Sequence, residues 1–242
     1  MSLKQAEILG VNVNSLTMVQ AVEKVQQFID ERKNALVATA NAEMLMRATQ
    51  DEELKHILNN ADLVVPDGAG TVWAANYLGV EMPERVAGYD LAQELMREAP
   101  SRGDRIYFFG SAPGVAESAR EKAMELYPGI KIVGTRNGFF SEADEPEIIA
   151  EIKAARPDIL LAALGVPKQE KWLYKYRQAL QVPVAIGVGG TLDVMAGVMQ
   201  RAPLWMQKAK LEWLFRGLKQ PSRAGRLLAL PKFVMKVMAS KK

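Results

Sequence analysis

The sequence predicts an α/β protein: a Rossmann-like, mostly parallel sheet flanked by helices, with a basic helical C-terminal appendage. Three observations predict it. Short apolar runs alternate with helical patterns along most of the 242 residues, an order that joins parallel strands through crossover helices. Ala35-Leu-Val-Ala38 and Ile159-Leu-Leu-Ala-Ala-Leu164 are apolar at every position, as strands covered on both faces must be. Charge is also divided. Residues 1–196 carry 20 Lys and Arg against 27 Asp and Glu, whereas residues 197–242 carry 11 against Glu212 alone.

The elements follow in order. Ile8–Val13 reads as a strand. Thr17-Met-Val-Gln20 is a capping box, and Val19, Val22, Val25, Phe28 and Ile29 recur behind it at helical spacing. Ala35–Thr39 is the next strand, with a helix from about Asn41 and another capped at Thr49-Gln-Asp-Glu52. Leu63–Pro66 is a short strand ending at Asp67. Helices over about Thr71–Leu78 and Asp90–Ala99 precede strand Arg105–Phe109, which runs into Gly110-Ser-Ala-Pro-Gly114 and a helix to Tyr127. Strand Ile130–Val133, a helix near Pro146–Ala155, strand Ile159–Leu164, helix Gln169–Arg177 and strand Val184–Val188 complete the body. The charge break sets two units: an α/β domain over 1–196 and an appendage over 197–242.

Composition excludes several chemistries. With no cysteine there is no disulfide, thiolate metal site or cysteine nucleophile. His56 is the only histidine and reads as a surface helix position, so histidine–serine triads and histidine metal sites are not credible. There is no Asp-x-Asp pair to hold a divalent metal, and none of the windows approaches the roughly 20 apolar residues of a spanning helix. The start has no apolar run behind a basic segment, so a signal peptide is not expected.

In a parallel sheet, ligands sit beyond the carboxyl ends of the strands. That rule gathers Thr39, Asn41, Asp67, Gly110, Ser111, Gly165, Gln169 and Gly187–Gly190 at one rim. Gly110-x-x-x-Gly114 and Gly187-Val-Gly-Gly190 can admit a diphosphate near backbone N–H groups, although each alone is more simply a tight turn. Neither is a dinucleotide fingerprint or a P-loop, which argues against a nicotinamide oxidoreductase. Asp67 can be a general base or a helix cap. Thr39 and Asn41 are equally good caps, and Arg85 in its Met-Pro-Glu-Arg loop can be a plain exposed ion pair. In the appendage, Leu204, Leu211, Leu214, Phe215 and Leu218 form one helical stripe, with Trp205 and Trp213 at its border and cations on other faces. Basic amphipathic sequence of this kind suits a membrane surface. The stripe equally suits docking on the protein's own body or a homo-oligomer contact, and suits nucleic acid poorly.

Thr39-Ala-Asn41, Pro66-Asp-Gly68, Phe109-Gly-Ser111, Asn137-Gly-Phe-Phe140, Gly165-Val-Pro-Lys-Gln-Glu170, Gly187-Val-Gly-Gly-Thr-Leu-Asp193 and Arg201-Ala-Pro203 resemble the WecG/TagA/CpsF family, glycosyltransferase family 26, most closely its TagA branch. The resemblance implies an inverting transferase with no metal cofactor. It would move N-acetylmannosamine from a UDP-sugar donor to N-acetylglucosamine on undecaprenyl diphosphate, at the cytoplasmic face of the membrane, for wall teichoic acid. It implies that Asp67 is the base and that Thr39, Asn41, Arg85 and Gln169 line the pocket. Gly110, Phe139, Gly189, Gly190 and Asp193 would border UDP, and Arg216, Arg223 and Arg226 would complete the site from the tail. Two alternatives stand beside it: another UDP-sugar donor, such as the uronic acid form of N-acetylmannosamine, and a non-catalytic nucleotide sensor tethered by its tail.

Overall fold

In the computed structural model the described residues are 3–203, 205, 206, 212, 215 and 229–241. Eight strands and ten α-helices are assigned among them. The chain opens with an antiparallel hairpin, β1 (Gln5–Ile8) and β2 (Val11–Asn14). The single strand expected over Ile8–Val13 is therefore two strands. Leu9 and Gly10 turn between them with φ of 52° and 82°. An apolar leucine in the left-handed region is uncommon, so the residue types conceal the turn.

The body then runs α1 (Met18–Asp30), β3 (Ala35–Ala40), α2 (Ala42–Ala48), α3 (Glu52–Asn59), β4 (Leu63–Pro66), α4 (Ala69–Tyr77), α5 (Gly88–Arg102), β5 (Arg105–Gly110), α6 (Val115–Leu126), β6 (Lys131–Arg136), α7 (Glu145–Ala155), β7 (Ile159–Ala163), α8 (Lys168–Leu180), β8 (Val184–Gly187) and α9 (Thr191–Met195). Helix α10 (Ala229–Ser240) follows. Thr17 caps α1 in the expected capping box, and Asn41 caps α2. The cap of α3 is Asp51, not Thr49. The Thr49 hydroxyl instead donates to the Met46 carbonyl at the end of the preceding helix.

Six strands form one parallel sheet in the order β4-β3-β8-β7-β5-β6. Alternate strand residues feed opposite faces. Val37, Val65, Phe108, Leu161 and Ile186 pack with α1, α5 and α6, while Leu36, Tyr107, Phe109 and Leu160 pack with α7 and α8. A third cluster joins Ala38, Ala40 and Val64 to the hairpin, α2, α4 and α10. Complete coverage explains why these strands read as unbroken apolar runs.

The order of connections places a crevice. β5 leads through α6 to β6 on one side, and β7 leads through α8 to β8 on the other. The two helices lie on opposite faces. Neighbouring strands whose connections diverge leave an opening beyond their carboxyl ends.

Candidate functional site

The carboxyl rim brings most of the sequence-selected residues together. Asp67 follows β4, with its N–H donating to the Ala40 carbonyl at the end of β3 (2.9 Å). The N-cap of α4 is Gly68, at φ 93°, and Asp67 is the residue before it. Next along the rim, the buried Thr39 donates its hydroxyl to the Gly187 carbonyl at the end of β8 (2.9 Å). Asn41 spends its carbonyl oxygen on the Met44 N–H at the start of α2 (3.0 Å).

Gln169 lies in the first turn of α8 and is only 1% exposed. Its side-chain oxygen accepts from the N–H groups of Gly165 (3.1 Å) and Gly189 (3.2 Å), the turns after β7 and β8. Its amide nitrogen donates to Glu170 (2.7 Å). Gln169 is thus a buried tie between the two turns at the rim where the family resemblance expects it to line the pocket. Gly187 makes room for it, since a Cβ there would stand 2.6 Å from the Gln169 amide nitrogen.

The β5–β7 crevice is closely fitted. A Cβ on Gly110, whose φ is 128°, would lie 2.4 Å from the Ala163 backbone, so only glycine lets β5 and β7 end side by side. Ser111 takes φ 59° and donates its N–H to the Ala163 carbonyl. Gly138 N–H reaches the Ser111 carbonyl (2.8 Å), folding the 137–140 loop over the crevice. In that loop Phe139 is 74% exposed, while Lys168 lies 4.0 Å from the centre of the Phe140 ring. At the far side of the cleft, Asp193 opens α9 with its carboxylate beside Gly190.

Charge collects near Asp67. Val86 N–H donates to the Pro66 carbonyl (2.9 Å), which draws the neighbouring Arg85 toward the end of β4. Arg85 pairs with Asp90 (3.5 Å) and with Glu212. Arg201 holds both oxygens of Asp90 (2.6 and 2.8 Å), reaches Glu212 (3.2 Å) and covers the Tyr89 ring. Burial opposes the Glu212 charge, but Arg85 and Arg201 outweigh it and hold its pKa below the ordinary carboxylate value. Arg85 is therefore no isolated surface ion pair. The sequence alone gives no site role to Asp90, Arg201 or Glu212, which the fold brings to Arg85. The available signal was Glu212 itself, the one acid in a segment with 11 cations.

Arg216, Arg223 and Arg226 lie outside the described residues, as do Trp213 and most of the apolar stripe. Trp205 is described and 65% exposed. Helix α10 folds back onto the body. Phe233 and Val237 are fully buried against α2 and α4, and a Cβ on Gly70 would meet Leu230 and Phe233. This puts α10 beside the start of α4, three residues from Asp67. His56 is exposed on α3 near Tyr174. No group of three or more His, Cys, Asp or Glu among the described residues has the spacing to hold a metal ion. No helix among them is long and apolar enough to cross a membrane.

A parallel six-stranded sheet flanked by helices, with a diverging-strand crevice bordered by glycine turns, defines an α/β protein of the Rossmann-like class. Comparison with known proteins makes the class specific. The sequence pattern of the Glycosyl transferase WecG/TagA/CpsF family matches residues 6–242, and the chain belongs to that family. Similar curated proteins carry the name N-acetylglucosaminyldiphosphoundecaprenol N-acetyl-beta-D-mannosaminyltransferase. The protein of that name from Bacillus spizizenii is 36% identical over 87% of this chain and 81% of its own. Those from Bacillus subtilis (34%, over 96% and 89%) and Staphylococcus aureus strain MW2 (32%, over 98% and 94%) are similar over still more of the length. The chain is accordingly a glycosyltransferase.

Proposed function

We propose that the chain transfers N-acetylmannosamine from UDP-N-acetylmannosamine to N-acetylglucosamine carried on undecaprenyl diphosphate. The product is the β-linked disaccharide lipid that begins the wall teichoic acid linkage unit. The observation that carries this reading is the position of Asp67. It stands at the carboxyl end of β4, between the Thr39–Gly187 tie on one side and the Arg85 cluster on the other. The shared activity named for the three relatives supports the choice of sugar and acceptor.

The chemistry is a single displacement. The Asp67 carboxylate takes the proton of the acceptor hydroxyl as that oxygen bonds to the anomeric carbon. The bond from that carbon to the phosphate oxygen breaks, its electron pair leaves with UDP, and the anomeric centre inverts. Gly110, Phe139, Gly189, Gly190 and Asp193 border the donor, while Arg85 and tail arginines Arg216, Arg223 and Arg226 offset the charge on diphosphate. Thr39, Asn41 and Gln169 line the pocket and position the sugars, and their hydrogen bonds to the rim turns and to α2 support that placement. Residues 1–196 form the catalytic body, and residues 197–242 bring it to the inner face of the membrane as a peripheral protein. Exposed Met235 and Met238 beside Lys232, Lys236 and Lys241 on and just beyond α10 support that role.

The test follows UDP release from UDP-N-acetylmannosamine with a short-chain lipid-diphosphate N-acetylglucosamine acceptor, in EDTA. Acceptor-dependent release in wild type that falls steeply in Asp67→Asn is the expected result. No release from this donor, with release from UDP-N-acetylmannosaminuronic acid, would reassign the sugar. UDP binding without turnover of either donor would leave a sensor.

A further inference from the structure

Glu170 takes no part in the displacement, yet it is as buried as any residue at the rim, at 1% exposure. Its Oε1 accepts from the Gln169 amide nitrogen (2.7 Å), and its Oε2 is buried with no hydrogen-bond partner. A buried, half-satisfied carboxyl is costly, and a residue that only filled space there would be better apolar.

Its neighbour explains the carboxyl. The N–H groups of Gly165 and Gly189 both point at one end of the Gln169 side chain. Two donors require an oxygen there, so the amide nitrogen must face the other way. Facing that way in a buried site, the amide N–H is left unpaired at a cost unless an acceptor waits on the far side. Glu170 Oε1 is that acceptor, and Gly187, with no side chain, leaves space for both groups. Without the acceptor, the buried Gln169 N–H would be unpaired, and a side chain that shifts to pair it loosens the tie between the turns after β7 and β8.

We propose that Glu170 is a positioning residue for the transfer reaction: it fixes the orientation of the Gln169 amide and, through it, the Gly165 and Gly189 turns that border the UDP-sugar donor. The functional part of this statement rests on the donor assignment given above. Burial raises the Glu170 pKa to about 7. Either protonation state keeps an oxygen able to accept from Gln169, so the role does not depend on charge.

Three full-length variants test it. Glu170→Gln keeps an acceptor and should hold kcat/KM within about threefold of wild type, whereas Glu170→Met removes it and should raise the donor KM about tenfold with acceptor KM unchanged. A merely structural role would lower the active fraction, and so kcat, without moving the donor KM. Amide hydrogen exchange supplies an arm independent of catalysis. In Glu170→Met, the Gly165 and Gly189 amides should exchange about tenfold faster while strand interiors stay protected. The swap Gln169→Glu with Glu170→Gln keeps an oxygen at 169 for the two turns and reverses the 169–170 bond, residue 170 now donating; it should restore that protection, which keeps the test decisive if Glu170→Met folds poorly. Unchanged donor KM and unchanged exchange in Glu170→Met would overturn the proposal, as would a Glu170→Gln variant as impaired as Glu170→Met. An inactive wild type would count against the donor assignment alone, because the exchange arm reads the clamp without substrate.

Discussion

Two polar clusters flank Asp67, and they are built on opposite principles. On one side Thr39, Gln169, Glu170 and the turns after β7 and β8 are joined by short-range hydrogen bonds in a nearly dry setting. On the other, Arg85, Asp90, Arg201 and Glu212 share full charges at 13–34% side-chain exposure. Buried neutral bonds are directional and insensitive to salt. Partly exposed ion pairs are screened and can exchange partners. The first cluster suits a fixed frame. The second suits a surface that gives up a carboxylate partner when a phosphate arrives.

The largest expected effect lies between the clusters. Asp67→Asn should lower kcat by about 10²–10⁴-fold, the usual worth of a general base, with little change in thermal midpoint. A loss under tenfold in a UDP-release assay would mean that Asp67 orients the acceptor without taking its proton.

The dry cluster should respond to pH. Folding raises the Glu170 pKa from its ordinary 4.5 to about 7. Between those values the folded protein keeps a proton that the unfolded chain gives up, so stability falls as pH rises through that window and levels off above it. The gap is worth about 3 kcal/mol. Denaturant titrations at pH 5 and pH 8 should therefore show wild type losing about 2–3 kcal/mol more than Glu170→Gln. Equal slopes would show the carboxyl ionised throughout. A smaller change comes from Thr39→Val, which strands the Gly187 carbonyl and should cost about 1–2 kcal/mol, equally at 50 mM and 500 mM salt.

Glu212→Gln should have the smallest effect on folding, under about 1 kcal/mol, since Arg85 and Arg201 still share Asp90. Unlike Thr39→Val, its cost should shrink in high salt. A large, salt-independent cost would erase the contrast between the clusters.

Much of this arrangement is legible in the sequence. The strands on which the rim stands are largely apolar, and the glycines and Asp67 fall at or just after their ends. The Thr17 capping box and the Asn41 cap are local signals that tertiary packing did not override. What stayed hidden depends on distant partners. Leu9-Gly10 turns a hairpin without the usual asparagine. Gln169 is legible as a rim residue, but Glu170 sits in a stretch whose Lys168, Lys171 and Lys175 suggest a solvated helix face, and its burial needs the sheet and helices packed on α8. Arg85 looked like a loop cation because its partners lie 5 and 127 residues away.

Helix α10 has a consequence for how the chain can be divided. Charge separates the segment after residue 196 from the body, but Phe233 and Val237 share one apolar cluster with the opening hairpin and the helices around Asp67. The first and last elements of the chain are thus parts of one wedge beneath the rim. Cutting the basic segment away would do more than remove cations. It would uncover Trp73, Tyr77 and the Gly70 face of α4, leaving a sticky notch beside Asp67. A synthetic peptide spanning residues 229–241 should find that notch and fill it.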